Sequence, residues 1–355
     1  MPQNNNAQPQ MPGASGQHVA VLGGGSFGTA MTKVLAENGH TVHFWMRDQA
    51  QADEIRETGC NSRYMPDVRL DGDIRPTTQL EEALSHATTV LVAIPSKAFR
   101  AVIREYSATF RDGQIVVSLT KGIEEHGFKL MSEVLAEEIP RCRIGVLGGP
   151  NLAGEIVSRD LTATTIAAKD PDVRRELQEL LGCEYFRVYA NVDVYGVELA
   201  GALKNIYAII AGLASARNLG ENAKAMLVTR GLAEMSRFAV SLGANPMTFM
   251  GLAGVGDLIV TCTSPKSRNY RVGYALGKGK ALDDAVAELG QVAEGIYTLK
   301  LVKEKSELIG IYMPLVRGLY EILYENASIN AVINSLMMSV QNSDVEFILP
   351  RTISQ

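Results

Sequence analysis

From residue 18 onward, short runs of β-branched and other apolar residues alternate with longer stretches whose apolar positions recur every three or four residues. The first rhythm belongs to buried strands and the second to helices with one packed face. Strands are predicted at 18–22, 41–46, 88–94, 114–119, 143–147, 163–168 and 185–189, with amphipathic crossover helices at 28–38, 80–85 and 128–138. Such alternation stacks βαβ units around a parallel sheet, so the first part of the chain is predicted to be α/β. After Asn191 strand-like runs almost vanish, and helix formers dominate to about Met338. A boundary is therefore placed there, between a parallel-sheet domain over 18–191 and an all-α domain over 192–340. In the second, residues 194–216 carry Val194, Val197, Leu203, Ile206, Tyr207, Ile210 and Leu213, interrupted by Gly196, Gly201 and Gly212. This predicts a buried helix whose glycines let a neighbour approach closely. The Asn-, Gln- and Pro-rich segment 1–17 reads as a mobile tail, and 341–355, which lacks a helical period, as a loose one.

The first predicted strand runs into Gly23-Gly24-Gly25-Ser26-Phe27-Gly28 and then a helix. Gly-x-Gly-x-x-Gly between a strand and a helix is the fingerprint of a Rossmann-type dinucleotide site. Gly23 permits the tight turn, Gly25 leaves room for a pyrophosphate, and Gly28 lets the helix pack on the strand. The N–H groups of the helix start near Ser26 then hold the anion. The second strand ends Phe44-Trp45-Met46-Arg47-Asp48, where the adenosine ribose is read. A carboxylate there favours a free 2′-hydroxyl, whereas a guanidinium pairs with a 2′-phosphate. Arg47 thus predicts acceptance of NADPH and Asp48 leaves NADH open; the alternative is a surface arginine without a ligand. Open α/β sheets bind ligands beyond the carboxyl edges of their strands. There the clearest chemical group is Lys121, either a ligand for a substrate phosphate or carbonyl or an ordinary solvated side chain.

Reducing a ketone by hydride transfer leaves an alkoxide, so a proton donor and cationic groups must lie near the oxygen. Lys204 interrupts the apolar stretch just before 206–214. Against so apolar a surface its ammonium form is disfavoured, which suits a general acid/base; the alternative is that it snorkels to solvent. Asp257 and Thr261 lie four apart on one helix face, placed to orient and charge-balance Lys204. Ser267-Arg268-Asn269-Tyr270 opens a predicted helix that runs to about Leu276 and ends at Gly277, with Ser267 as N-cap. A phosphate there would meet helix N–H groups, a hydroxyl, the Arg268 fork and the Asn269 amide together.

Composition narrows the partners. The 355 residues suit two domains, each with its own core. A net charge of −5 repels polyanions on average, so nucleic acid is not expected and any phosphate site must be a local concentration of positive charge. Cys60, Cys142, Cys183 and Cys262 are scattered without a Cys-x-x-Cys pair, which indicates neither disulfides nor a metal site and suits a reducing compartment. The longest apolar run, 206–214, is half of what a bilayer crossing needs, so membrane insertion is not expected.

Taken together, the segments resemble the bacterial NAD(P)-dependent glycerol-3-phosphate dehydrogenases. The resemblance rests on Gly23-x-Gly25-Ser26-Phe27-Gly28, Phe44-Trp45, Thr120-Lys121-Gly122, Gly148-Gly149-Pro150, Leu203-Lys204-Asn205, the 229–235 segment Thr-Arg-Gly-Leu-Ala-Glu-Met, Gly254-x-Gly256-Asp257, Ser267-Arg268-Asn269 and Val292-Ala293-Glu294-Gly295, in order over 18–340. It implies a Rossmann domain followed by an all-α domain, in a cytoplasmic homodimer that reduces dihydroxyacetone phosphate with NADH or NADPH and feeds glycerophospholipid synthesis. Lys204 is implied as proton donor and acceptor, with Lys121 and Asp257 lining the substrate. Ser267, Arg268 and Asn269 are implied at its phosphate, and Gly149 and Asn151 nearby. Cofactor contacts are implied for Ser26, Phe27, Arg47, Lys121, Ala153, Arg268, Val292 and Glu294. Asn151 departs from the hydroxyl residue usual after Gly-Pro, although an amide still donates a hydrogen bond; Leu152 replaces the usual aromatic. The rival readings are a related two-domain hydroxy-acid or sugar-acid dehydrogenase, which would need a carboxylate clamp at 267–269, and a nicotinamide-sensing regulator, which would need a recognition module.

Overall fold

The computed structural model describes residues 16–125, 127–289 and 293–338. Of the tail expected at 1–17 only Gly16 and Gln17 fall within the described residues, and the segment 341–355 lies wholly outside them. Gln17 is docked on the domain: its N–H donates to His40 Nδ1 at 3.2 Å and its carbonyl accepts from Thr41.

Ten strands are described: β1 (His18–Leu22), β2 (Thr41–Trp45), β3 (Cys60–Asn61), β4 (Met65–Arg69), β5 (Ile74–Thr77), β6 (Thr89–Val92), β7 (Ile115–Ser118), β8 (Arg143–Gly148), β9 (Thr162–Ala167) and β10 (Phe186–Asn191). Eight form one sheet in the order β10-β9-β8-β7-β6-β1-β2-β5, and β3 and β4 form a separate antiparallel pair. The reversal of direction of travel at β1, between β2 and β6, is the topological switch at which such sheets bind ligands. Alternate residues serve opposite faces. Val19, Val21, Phe44, Leu91 and Val117 pack with the helix Ser26–Glu37. Ala20, Leu22, Trp45, Val92 and Val116 pack with the helices Leu80–His86, Ser96–Glu105 and Met131–Glu138. Burial on both faces is why these strands read as continuous apolar runs.

The sheet is not wholly parallel, as the sequence pattern had suggested. β9 runs antiparallel to β8, and β10 follows β9 in parallel. The only helix between β8 and β9 is Ala153–Val157. At 1.5 Å per residue it carries the chain about 8 Å, well short of the roughly 20 Å length of a six-residue strand, so β9 starts at the end where β8 stopped. The sequence pattern also misses β3, β4 and β5. β4 (MPDVR) is largely exposed and β5 (IRPT) is an edge strand containing Pro76, so neither shows a buried-strand rhythm.

Beyond β10 the described chain is helical. Its axis is the 23-residue helix Val194–Ala216, capped by Asp193, whose side chain accepts from Gly196 N–H. By length and composition this helix is long and apolar enough to cross a membrane, more than the nine-residue apolar run implied, but 89% of its most apolar window is buried inside the protein. It packs on Glu221–Ser241, Arg268–Gly277, Glu294–Leu308 and Pro314–Tyr324. Close approach is enforced: a Cβ at Gly212 would stand 2.0 Å from the Tyr270 carbonyl oxygen, and one at Gly273 would stand 1.9 Å from that of Ile209. No side chain larger than hydrogen fits at either crossing.

Candidate active site

A cleft of about 1280 Å³ opens between the carboxyl edge of the sheet and the helical half. On the sheet side lies the glycine loop. Gly23 has φ +122°, and a Cβ at Gly28 would stand 1.9 Å from the Gly23 carbonyl oxygen, so both positions require glycine. The space over Gly25 is open: a Cβ there would meet nothing within 4 Å. Among the described residues no acceptor pairs with the N–H groups of Gly24, Gly25 or Ser26. Ser26 begins the first helix, so these unpaired donors lie at a helix N-terminus, where the dipole favours an anion. Arg47 is exposed on the cleft wall and pairs with nothing among the described residues, whereas Asp48 caps the helix Gln49–Thr58 through Ala50 N–H at 3.0 Å.

The floor of the cleft is ionic. Helix Val194–Ala216 carries Lys204 inward, and its ammonium donates to Asp257 Oδ1 at 2.6 Å and to Thr261 Oγ at 2.6 Å. From the edge of β7 comes Lys121, whose ammonium donates to Asp257 Oδ2 at 2.6 Å and to the Gly149 carbonyl at 2.8 Å. One carboxylate, 1% exposed, thus serves two cations. Asp257 sits at the junction of a π-helical turn, Leu252–Gly256, and the helix Asp257–Thr263, a local irregularity common where a side chain must be re-aimed. Burial pushes the Lys204 ammonium down to about 8, and the Lys121 charge pushes the same way against the pull of Asp257. Asp257 and Gly149 lie behind the lysines rather than on the cleft wall, while Lys121 and Lys204 line it.

The third part is the start of the helix Arg268–Gly277. Ser267 is its N-cap and accepts from Tyr270 N–H at 3.3 Å. Arg268 is exposed in the cleft and unpaired among the described residues. The Asn269 amide donates to Asn205 Oδ1 at 2.9 Å and accepts from Gly295 N–H at 3.1 Å, so one of its two N–H bonds is left over. Asn205 in turn donates to the Lys121 carbonyl at 3.4 Å, tying the turn at 267–269 to the lysine floor. Glu294 crosses the cleft to accept from Ser96 Oγ at 2.7 Å and Ser96 N–H at 3.2 Å. Ser96 opens the helix after β6, and the strand-end position was its one signal in the sequence. Asn151 points its amide nitrogen into the protein, donating to Thr164 Oγ at 2.9 Å and the Gly148 carbonyl at 3.3 Å. The atom left without a partner is the acceptor Oδ1, not the donor that the sequence reading expected to be free. Ala153 and Phe27 line the cleft; Val292 lies outside the described residues.

Comparison with known proteins extends the same pattern along the chain. Family profiles described as the N-terminus and C-terminus of NAD-dependent glycerol-3-phosphate dehydrogenase match residues 18–174 and 193–334. A glycerol-3-phosphate dehydrogenase [NAD(P)+] of Pseudomonas entomophila (strain L48) is 57% identical over 332 residues, covering 94% of this chain and 97% of its own. The crystal structure of glycerol-3-phosphate dehydrogenase from Coxiella burnetii superposes with a TM-score of 0.87 at 37% identity, covering 91% and 99% of the two chains. That of Saccharomyces cerevisiae superposes at 0.79 with 27% identity over 90% of this chain and 99% of its own. Both halves of the fold and the residues that meet in the cleft fall within these matches, and the chain belongs to the NAD-dependent glycerol-3-phosphate dehydrogenase family.

Proposed function

We propose that the protein interconverts dihydroxyacetone phosphate and sn-glycerol 3-phosphate with NADH or NADPH, and so supplies glycerol 3-phosphate for glycerophospholipid synthesis. The observation that carries this reading is the Asp257 carboxylate held between Lys121 and Lys204 on the floor of a cleft with a glycine loop at one end and an unpaired arginine at the other. The open space over Gly25 and the unpaired loop N–H groups fit a dinucleotide pyrophosphate. Ser26, Phe27, Arg47, Ala153, Arg268 and Glu294 are assigned to hold it, with Gly23 and Gly28 shaping the loop. When bound, the nicotinamide supplies the hydride.

Lys204 holds the proton that the substrate oxygen needs as charge develops on it, and takes it back in the reverse direction. A proton affinity near pH 8 lets one group serve both roles. Lys121 presents a second cation to the same oxygen, and Asp257 fixes the two ammoniums in place. The capped helix start at Ser267, with Arg268 and the remaining Asn269 N–H, is assigned to the substrate phosphate. Asn151, on the cleft wall, is assigned beside the substrate, with Gly149 behind it holding Lys121 through its carbonyl. The chain is divided between a dinucleotide-binding domain over 18–191 and a catalytic helical domain over 192–340. A cytoplasmic homodimer is also proposed, the four free cysteines being consistent with a reducing compartment.

The test is steady-state oxidation of NADPH and NADH with dihydroxyacetone phosphate, set against pyruvate-like acids, for wild type and Lys204→Ala. Turnover on the triose phosphate alone, abolished in Lys204→Ala with cofactor binding intact, is expected. Equal turnover on the acids, or a near-normal rate in Lys204→Ala, refutes the assignment.

A further inference from the structure

Two side chains outside the glycine motif reach its backbone from behind. Gln51, in the helix Gln49–Thr58, donates through Nε2 to the Gly24 carbonyl at 2.6 Å and to Asn61 Oδ1 at 3.0 Å. Asn61, in β3, donates through Nδ2 to the same Gly24 carbonyl at 3.0 Å and to Thr29 Oγ at 2.8 Å. Thr29 closes the network by donating to the Gly25 carbonyl at 2.9 Å. Asn61 and Thr29 are fully buried and Gln51 nearly so. Each amide hydrogen of Gln51 and Asn61 is used, and three of the five bonds end on two consecutive carbonyls of one loop, the other two linking the side chains to each other.

A trans peptide points its C=O and N–H in opposite directions. With the Gly24 carbonyl drawn inward by two donors, the N–H of Gly25 must face outward, and it is one of the donors that has no acceptor among the described residues. The chain leaves room there: a Cβ added at Gly25 would meet nothing within 4 Å. A glycine loop is otherwise free to rotate this peptide, since glycine populates both signs of φ about equally. Pre-setting it removes a cost that would otherwise fall on binding.

We propose that Gln51 and Asn61 are positioning residues for the cofactor: they lock the Gly24–Gly25 peptide so that its N–H meets the dinucleotide pyrophosphate. The proposal rests on the cofactor reading of the glycine loop given above. Neither residue touches the substrate end of the cleft, so the effect of removing them is confined to the cofactor.

The test uses the full chain with Gln51→Glu, which keeps the shape and removes both donors, and Gln51→Met, which does so without adding a buried charge. Asn61→Asp is the companion change. NADPH affinity is read directly from its fluorescence, and steady-state rates with dihydroxyacetone phosphate are read in parallel, with thermal melting as a check on folding. Loss of one pyrophosphate hydrogen bond is expected to raise the NADPH Kd and KM about tenfold or more. The KM for dihydroxyacetone phosphate and kcat at saturating cofactor are expected to stay within about twofold of wild type. A general packing defect instead lowers the folded fraction, and with it kcat, without moving the cofactor KM alone. Unchanged NADPH affinity in a folded Gln51→Met protein, or a parallel rise in both KM values, overturns the proposal. A wild-type protein that binds NADPH tightly, loses that affinity in the variants and yet fails to reduce the triose would refute the proposed function and support this inference.

Discussion

Replacing Asp257 by Asn tests the charge arrangement at the floor of the cleft with almost no change of shape. The carboxylate is 1% exposed and accepts from two ammoniums at 2.6 Å each. Unit charges about 4 Å apart at an effective dielectric of about 20 attract by about 4 kcal/mol. A neutral acceptor retains roughly half of a charge-assisted bond, so about 2 kcal/mol of the stabilisation of Lys204's ammonium is lost. At about 1.4 kcal/mol per pH unit, that lowers the proton affinity of Lys204 from about 8 to roughly 6.5. The reduction direction needs the protonated amine, so its rate falls as pH rises through that value. In Asp257→Asn the basic limb of kcat for dihydroxyacetone phosphate reduction is therefore expected to move from near pH 8 to near pH 6.5. At about pH 7.5 the protonated fraction drops roughly eightfold, while at about pH 5.5 the two enzymes differ little on this account. The assay is kcat against pH at saturating NADPH and triose phosphate, with the reverse reaction as a control, since glycerol 3-phosphate oxidation needs the neutral amine and its limb must move in the same direction. A basic limb that stays at 8 in Asp257→Asn, with the loss uniform across pH, would show that Asp257 does not set the protonation of Lys204.

Arg47, exposed on the cleft wall without a partner among the described residues, is expected to read the 2′-phosphate. Arg47→Gln should raise the KM for NADPH by about tenfold or more and that for NADH by less than about twofold, as fits one charge-assisted bond; equal changes in both would remove Arg47 from cofactor discrimination. Glu234 is buried, accepts from Leu315 N–H at 2.6 Å and from Tyr207 OH at 3.2 Å, and burial raises its carboxyl from 4.5 to about 7. Between those values the folded state binds more proton than the unfolded, so this group's contribution to stability falls as pH rises from about 4.5 to 7, by roughly 3 kcal/mol in total. Glu234→Gln should flatten that slope in urea unfolding measured at about pH 5 and pH 7.5, and an unchanged slope would contradict the burial argument.

The parts of the site legible in the sequence are those where one short segment performs a whole local task. The glycine loop is such a case, because strand, turn and helix start are consecutive, and so is the Ser267 cap with Arg268 and Asn269. Lys204 was legible because a cation amid the apolar residues of its helix is conspicuous. The pairing of Asp257 and Thr261 with Lys204 was also read, from their i and i+4 spacing, and it holds at 2.6 Å each. What the pattern could not give is the meeting of more distant segments: Asp257 lies 136 positions from Lys121, and Glu294 lies 198 from Ser96, so these pairings exist only once the two halves pack. The orientation of the Asn151 amide depends on Thr164 in β9, and β9 runs antiparallel to its neighbour, contrary to the pattern's suggestion. Asn61 was missed because β3 is two residues long, so no periodicity marks it, and Gln51 because its partner, the Gly24 carbonyl, lies 27 positions away.

The ratio of charges on the cleft floor explains why this arrangement suits a reversible ketone reduction. With no carboxylate, burial and the neighbouring Lys121 charge would hold the proton affinity of Lys204 lower still, and Lys204 would no longer serve as the acid for the reduction near neutral pH. With a second carboxylate beside it, the Lys204 ammonium would be held protonated, and Lys204 would no longer serve as the base for the oxidation. One carboxylate between two cations leaves Lys204 balanced near pH 8 and leaves about one net positive charge facing the cleft. The unpaired Arg268 guanidinium on the cleft wall adds to it. The chain as a whole carries −5, so an anionic triose is attracted only where these residues converge. On the proposed assignment, the same local field that gathers the phosphate stabilises the alkoxide formed on hydride arrival, which makes binding and proton transfer two consequences of one cluster of cations held by a buried aspartate.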